Sequence, residues 1–101
     1  MSEKTPVLFR KWKTPEGDII AVFPTLPGKY TRDPDTCLMY EHVGQHGSGS
    51  ITRVMKSTKA ASPDEYAQLK RELEGRGYEL QVVYRSSARH RAIRTEESRR
   101  P

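Results

Sequence analysis

The chain has 101 residues, 34% of them hydrophobic, and its 18 Lys and Arg against 13 Asp and Glu give a formal charge of +5. That length holds one small domain with a thin core, and one cysteine excludes an internal disulfide and fits a reducing, cytoplasmic setting. No apolar run approaches the ~20 residues that span a bilayer, and the first residues, M-S-E-K-T-P, lack the apolar segment of a signal peptide. The charge is uneven: residues 1–85 hold 13 basic and 11 acidic side chains, whereas residues 86–101 hold five Arg and two Glu. Such a basic end suits nucleic acid, an acidic protein surface or an anionic membrane, without choosing among them.

In chain order, residues 7–13 (V-L-F-R-K-W-K) and 19–23 (I-I-A-V-F) are rich in strand formers and flank T-P-E-G-D, in which Pro presets φ and Gly supplies the positive-φ position of a hairpin turn. Pro24 and Pro27 are expected to end the second strand, and residues 25–35 read as a surface loop. Residues 36–45 (T-C-L-M-Y-E-H-V-G-Q) carry apolar groups on both alternating faces, which predicts a central strand. Residues 46–50 (H-G-S-G-S) read as a flexible connection, and 51–56 as a short strand or extended arm.

The clearest element follows. Ser62, Pro63 and Glu65 spell a capping box with Pro at the first helical position. Tyr66, Leu69 and Leu73 recur at i, i+3, i+7, so one narrow stripe faces the core. Gly75 or Gly77 ends the helix, and Glu72 with Arg76 has ion-pair spacing. Tyr78, Leu80, Val82 and Tyr84 then alternate with polar positions as a strand. The expected core is Phe9, Ile19, Val22, Tyr66, Leu69, Leu73, Leu80 and Val82, with the buried face of the first hairpin left open. Residues 86–101 have Ile93 as their one large apolar residue, too little to offset the entropy of ordering, and are expected to be a disordered Arg-rich tail.

The fold expected is α+β: a mainly antiparallel sheet of four to five strands with one helix packed on it, in the order β-β-β-(β)-α-β, spanning residues 6–85 as a single domain and followed by the tail 86–101. Candidate chemistry is sparse. Cys37, His42 and His46 resemble a metal set, but residues four apart in a strand lie ~13 Å from each other, and a fourth ligand is missing. Cys37 and His42 would point to opposite strand faces, which argues against a nucleophile and its base. The glycine-rich 44–50 lacks the Lys and the following helix of a phosphate-binding loop. No catalytic residue, metal or cofactor is expected. Two basic groups remain. Arg10, Lys11, Trp12 and Lys13 interleave charge with an aromatic that, if exposed, would stack on an unpaired base; the alternative is that Trp12 packs on the core. Arg89, Arg91, Arg94, Arg99 and Arg100 suit phosphate or an acidic groove; the alternative is a solubilising tail.

The blocks V-L-F-R-K-W-K…G-D-I-I-A-V-F-P, M-Y-E-H-V-G-Q-H-G and A-S-P-D-E-Y-A-Q-L-K-R-E-L…G-Y-E-L-Q-V-V-Y-R resemble a group of small bacterial proteins of uncharacterised activity, some encoded on phage and other mobile elements. The resemblance covers about residues 7–85. It implies a coherent domain and an accessory role, and it assigns no site residues. The leading expectation is thus a non-enzymatic binding protein contacting nucleic acid or a nucleoprotein through Arg10–Lys13 and the basic end. The alternative is a protein-binding adaptor or inhibitor acting through a sheet edge or the 42–50 loop, with His42, Gln45 and His46 as contacts. Monomer and dimer are both compatible with it.

Overall fold

The computed structural model describes residues 4–28, 33–41 and 45–99. The elements run β1 (Thr5–Trp12), β2 (Ile19–Pro27), β3 (Thr36–Glu41), β4 (Gln45–Ser50), α1 (Ile51–Ser57), β5 (Thr58–Ala60), α2 (Pro63–Gly75), β6 (Leu80–Val82) and α3 (Ala88–Ser98). Among the described residues one six-stranded sheet has the order β4-β3-β2-β1-β5, with β6 also pairing β1. All pairings are antiparallel except β1 with β6. The fold is α+β, as the residue pattern implies, but among the described residues it carries three helices rather than one and six strands rather than four to five.

The first hairpin forms where turn chemistry places it. Trp12 N donates to Asp18 O at 2.9 Å, and Gly17 takes φ 61°. A Cβ at Gly17 would lie 2.6 Å from Lys11 Cε, a flexible side-chain end that can move aside, so it is the positive φ that favours glycine. The hairpin buries both faces rather than one. Val7, Phe9, Ala21 and Phe23 share one core with Tyr40, Tyr66, Leu69, Leu73 and Leu80, with Ile19 and Val82 packed against it. Leu8, Ile20, Val22, Cys37 and Met39 share the other with Ile51 and Val54.

Helix α2 covers the first core. Ser62 and Glu65 form the capping box, and Tyr66, Leu69 and Leu73 are its buried residues. Phe9 and Tyr66 stack at 4.4 Å between ring centroids. Gly77, at φ 103°, ends the helix with its N–H donating to Glu74 O at 3.0 Å. The ion pair on the helix is Lys70–Glu74, while Glu72 Oε2 is buried without a partner.

Four segments depart from the sequence reading, each for a physical reason. Strand β2 runs through Pro24 to Pro27, its pairing with β3 shifting register between Phe23 and Pro27, which is how prolines are tolerated in a ladder. Residues 45–50 form a strand because β3 offers a full partner edge, from Thr36↔Ser50 to Glu41↔Gln45. Residues 51–57 are helical although rich in β-branched residues: Ser50 caps Arg53 N, and Ile51 and Val54, three apart, reach the second core. Strand β6 is shorter than the alternation at 78–84 because β1 has one edge for two strands. Val7 O takes Val83 N at 2.9 Å, and Phe9 O is already taken by Ala61 N at 3.1 Å.

The expected disordered tail is corrected as well. Helix α3 occupies 88–98, capped by Ser87, whose side chain accepts from His90 N while His90 Nδ1 accepts from Ser87 N. What anchors it is not an apolar stripe but Arg94, 2% exposed. Its Nη1 donates to Pro24 O at 2.7 Å, and Nε and Nη2 donate to Pro34 O at 3.0 and 2.8 Å. No helix among the described residues is long and apolar enough to cross a membrane.

Candidate anion-binding surface

The sheet separates the sequence-predicted contacts. Arg10 and Trp12 point to the α1 face; Lys11 points to the α2 face. Arg10 is spent internally: Nε donates to Thr58 Oγ1 at 3.0 Å, and Nη2 donates to Thr58 O and Met55 O at 2.8 and 3.4 Å. Burial lowers its pKa. Lys11 pairs with Glu65; the ammonium and the Ser62 amide hold that carboxyl down at about 2. Lys13 Nζ donates to Lys56 O at 3.4 Å. Trp12 is half-buried against the second core, so it is not the freely exposed stacking platform that one reading required. Residues 10–13 thus do structural duty on two faces rather than forming one basic patch.

The arginines of the last segment are also dispersed. Arg94 is buried and structural. Arg89 is exposed and lines a cavity of about 700 Å³ with Ile93 and Glu97. Arg99 is exposed at the α3 C-cap, and Arg100 lies outside the described residues. Arg91 is the one placed in a concentrated basic setting. A second cavity, of about 550 Å³, opens between α1 and the start of α3, and Lys56, Arg85 and Arg91 line it with Asp35, Thr52, Ser86 and Ser87 over Ile51 and Met55. Lys56, Arg85 and Arg91 are exposed, and none makes an ion pair among the described residues.

Asp35 is the local acid, and it is already occupied. Its Oδ1 accepts from Thr52 Oγ1 at 2.6 Å, its Oδ2 from Ser50 Oγ, and its backbone O from Ile51 N at 2.8 Å. The Ser50 hydrogen bond, then that of Thr52, keeps its pKa below the ordinary value. Counting Arg94, four cations and one carboxylate surround the cavity, a net of +3. Lys56 and Arg85 went unrecognised in the sequence. Read as a helix, 51–57 would have placed Thr52, Met55 and Lys56 on one side, at i, i+3, i+4.

The alternative loop contacts fall elsewhere. His42 lies outside the described residues, and only the backbone of Gln45 is described. His46 sits on β4 opposite Tyr40. Its Nε2 is 2.8 Å from Tyr78 Oη, and its ring meets Tyr40 edge-on at 4.8 Å. The Arg76 guanidinium lies 5.1 Å from the Tyr40 ring centroid. Tyr40 Oη is buried without a hydrogen-bond partner, and burial raises the pKa of Tyr78. Cys37 faces the other core, where burial pushes its thiol up to about 12, so Cys37 and His46 lie on opposite sides of the sheet.

No protein-family model matches the chain, and no curated protein or solved structure matches it.

Proposed function

We propose that this chain is a non-enzymatic binding protein whose partner is nucleic acid or a nucleoprotein, held on the face formed by α1 and residues 85–91. The convergence of Lys56, Arg85 and Arg91 on one cavity, none of them ion-paired among the described residues, carries this reading. Unpaired cations that share a concave wall focus the field on an incoming phosphate, and Arg presents a planar fork to its oxygens. The side chains of the Arg10–Lys13 patch are engaged within the fold, whereas folding draws Lys56, Arg85 and Arg91 together at the cavity. The block resemblance adds an accessory role on a mobile element to this proposal.

The test is equilibrium binding of the full chain to labelled single- and double-stranded DNA and RNA at two salt concentrations. The expected result is measurable binding at low salt, with log K falling by about 0.7–0.9 per phosphate contact per decade of salt. No binding to any of the four at low salt would end the reading. A protein adaptor acting through β4 is the second reading. It is favoured by the position of β4 as the outermost strand on its side of the sheet, with His46, Gly47 and Ser48 exposed, since edge strands template strand addition.

A further inference from the structure

The cavity beside α1 is more than a charged wall, and its composition narrows what it takes. Its volume, about 550 Å³, is within the ~300–1,000 Å³ of small-ligand sites and far larger than one phosphate needs. Its lining is divided. Ile51 is 7% exposed and Met55 half-buried, and these two supply an apolar surface. Lys56, Arg85 and Arg91 supply cations that make no ion pair among the described residues. Asp35 supplies an ionised acceptor fixed by Ser50 and Thr52, and each carboxylate oxygen keeps a lone-pair site beyond the hydroxyl it already binds.

We infer, on the basis of the nucleic-acid reading above, that this cavity holds one unpaired nucleotide bearing a 5′-phosphate. The phosphate sits among Lys56, Arg85 and Arg91, the base or sugar rests on Ile51 and Met55, and Asp35 accepts from an amine or hydroxyl of the nucleotide. A continuous duplex presents phosphates without a free base face, so it would use the cations and leave the apolar surface empty. An acidic peptide would bring further carboxylates towards Asp35, whereas a nucleotide keeps its charge on the phosphate and turns a neutral base or sugar to it. The shared chemistry is a nucleoside 5′-phosphate, either free or at a strand end.

The experiment is a titration of the isotope-labelled full chain, followed by amide correlation spectra at low salt. The probes are adenosine 5′-monophosphate, inorganic phosphate, a phosphoserine peptide, and a short single strand with a 5′-phosphate or a 5′-hydroxyl. The monophosphate should shift amides of 51–56 and 85–91 saturably, at least tenfold tighter than inorganic phosphate or the peptide. The R85Q/R91Q variant changes two exposed side chains and should keep a dispersed spectrum while weakening the monophosphate at least tenfold. A 5′-phosphorylated strand tighter than the monophosphate assigns a strand end; equal affinities assign the free nucleotide. Equal binding of monophosphate and inorganic phosphate, an equally tight peptide, unsaturable shifts, or an unaffected R85Q/R91Q would each overturn the inference. If the monophosphate fails while long nucleic acids still bind, the cavity assignment alone falls. If the monophosphate binds and long nucleic acids do not, the broader reading falls and the cavity stands.

Discussion

The two faces of the sheet are built on opposite principles. Under α2 the core is apolar and aromatic: Phe9 stacks on Tyr66, Phe23 stacks on Tyr78, and Leu69 and Leu73 close it. On the other face a smaller core of Leu8, Ile20, Val22, Cys37 and Met39 is covered by the two turns of α1, and α3 is fastened by polar bonds from one buried arginine. The helix that rests on hydrophobic burial carries both acids and bases on its outer side. The pieces joined by polar contacts leave a cavity with cations at its mouth. The larger apolar core lies on one face and the cation-lined cavity on the other.

The largest expected effect breaks the first face. Leu73→Ala empties a fully buried position and should cost about 2–5 kcal/mol, read as a lower urea midpoint. Arg94→Ala should cost about 2–3 kcal/mol, because it leaves the Pro24 and Pro34 carbonyls without their donors, and hydrogen exchange should show the loss confined mainly to α3. If Arg94→Ala proved as costly as Leu73→Ala and melted both faces together, the two regions would be one cooperative unit. Smaller again, Ser62→Ala and Ser87→Ala should each cost about 1 kcal/mol, the first across the domain and the second locally in α3.

A pH titration separates the faces further. Burial, then Arg89 and Arg94, lowers His90 below its ordinary 6.5, and its neutral Nδ1 accepts from Ser87 N. Its contribution is therefore complete above pH 6.5 and is lost as pH falls through the lowered value, because the unfolded chain takes the proton first. Glu65, held at about 2 against an ordinary 4.5, behaves likewise lower down: its contribution is intact above pH 4.5 and fades towards pH 2. Acidification should thus fray α3, seen as faster amide exchange at 88–98, before it disturbs α2. His90→Gln should flatten the upper step.

The legibility of the chain follows the same division. Helix α2 could be read because cap, stripe and stop signals agree, and the β1–β2 hairpin because its turn residues have one geometry. Strand β4 has no local strand signal; Gly47 and Gly49 are extended because β3 pairs with them. In α1 the β-branched residues argue for a strand, and the Ser50 cap with the docking of Ile51 and Val54 overrides them. Helix α3 lacks an apolar stripe, and no periodicity shows that Arg94 will find the carbonyls of Pro24 and Pro34. Of the site, Arg91 was visible as part of a basic run. Lys56, Arg85 and Asp35 were not, because the cavity arises from three segments far apart in sequence.

The most direct test compares the faces at matched charge. Two triple variants, K56Q/R85Q/R91Q on the cavity and K59Q/K70Q/R71Q as a control outside it, each remove three positive charges; all six positions lie outside the buried cores. Binding of a labelled single strand is measured over a salt series for both variants and the parent chain. The cavity variant should bind at least tenfold more weakly, with the slope of log K against log salt reduced in magnitude by about 0.7, the share of the one phosphate held there, while the control stays within a few-fold of the parent. Equal losses in the two variants, or none in either, would contradict the assignment of binding to the α1–α3 face.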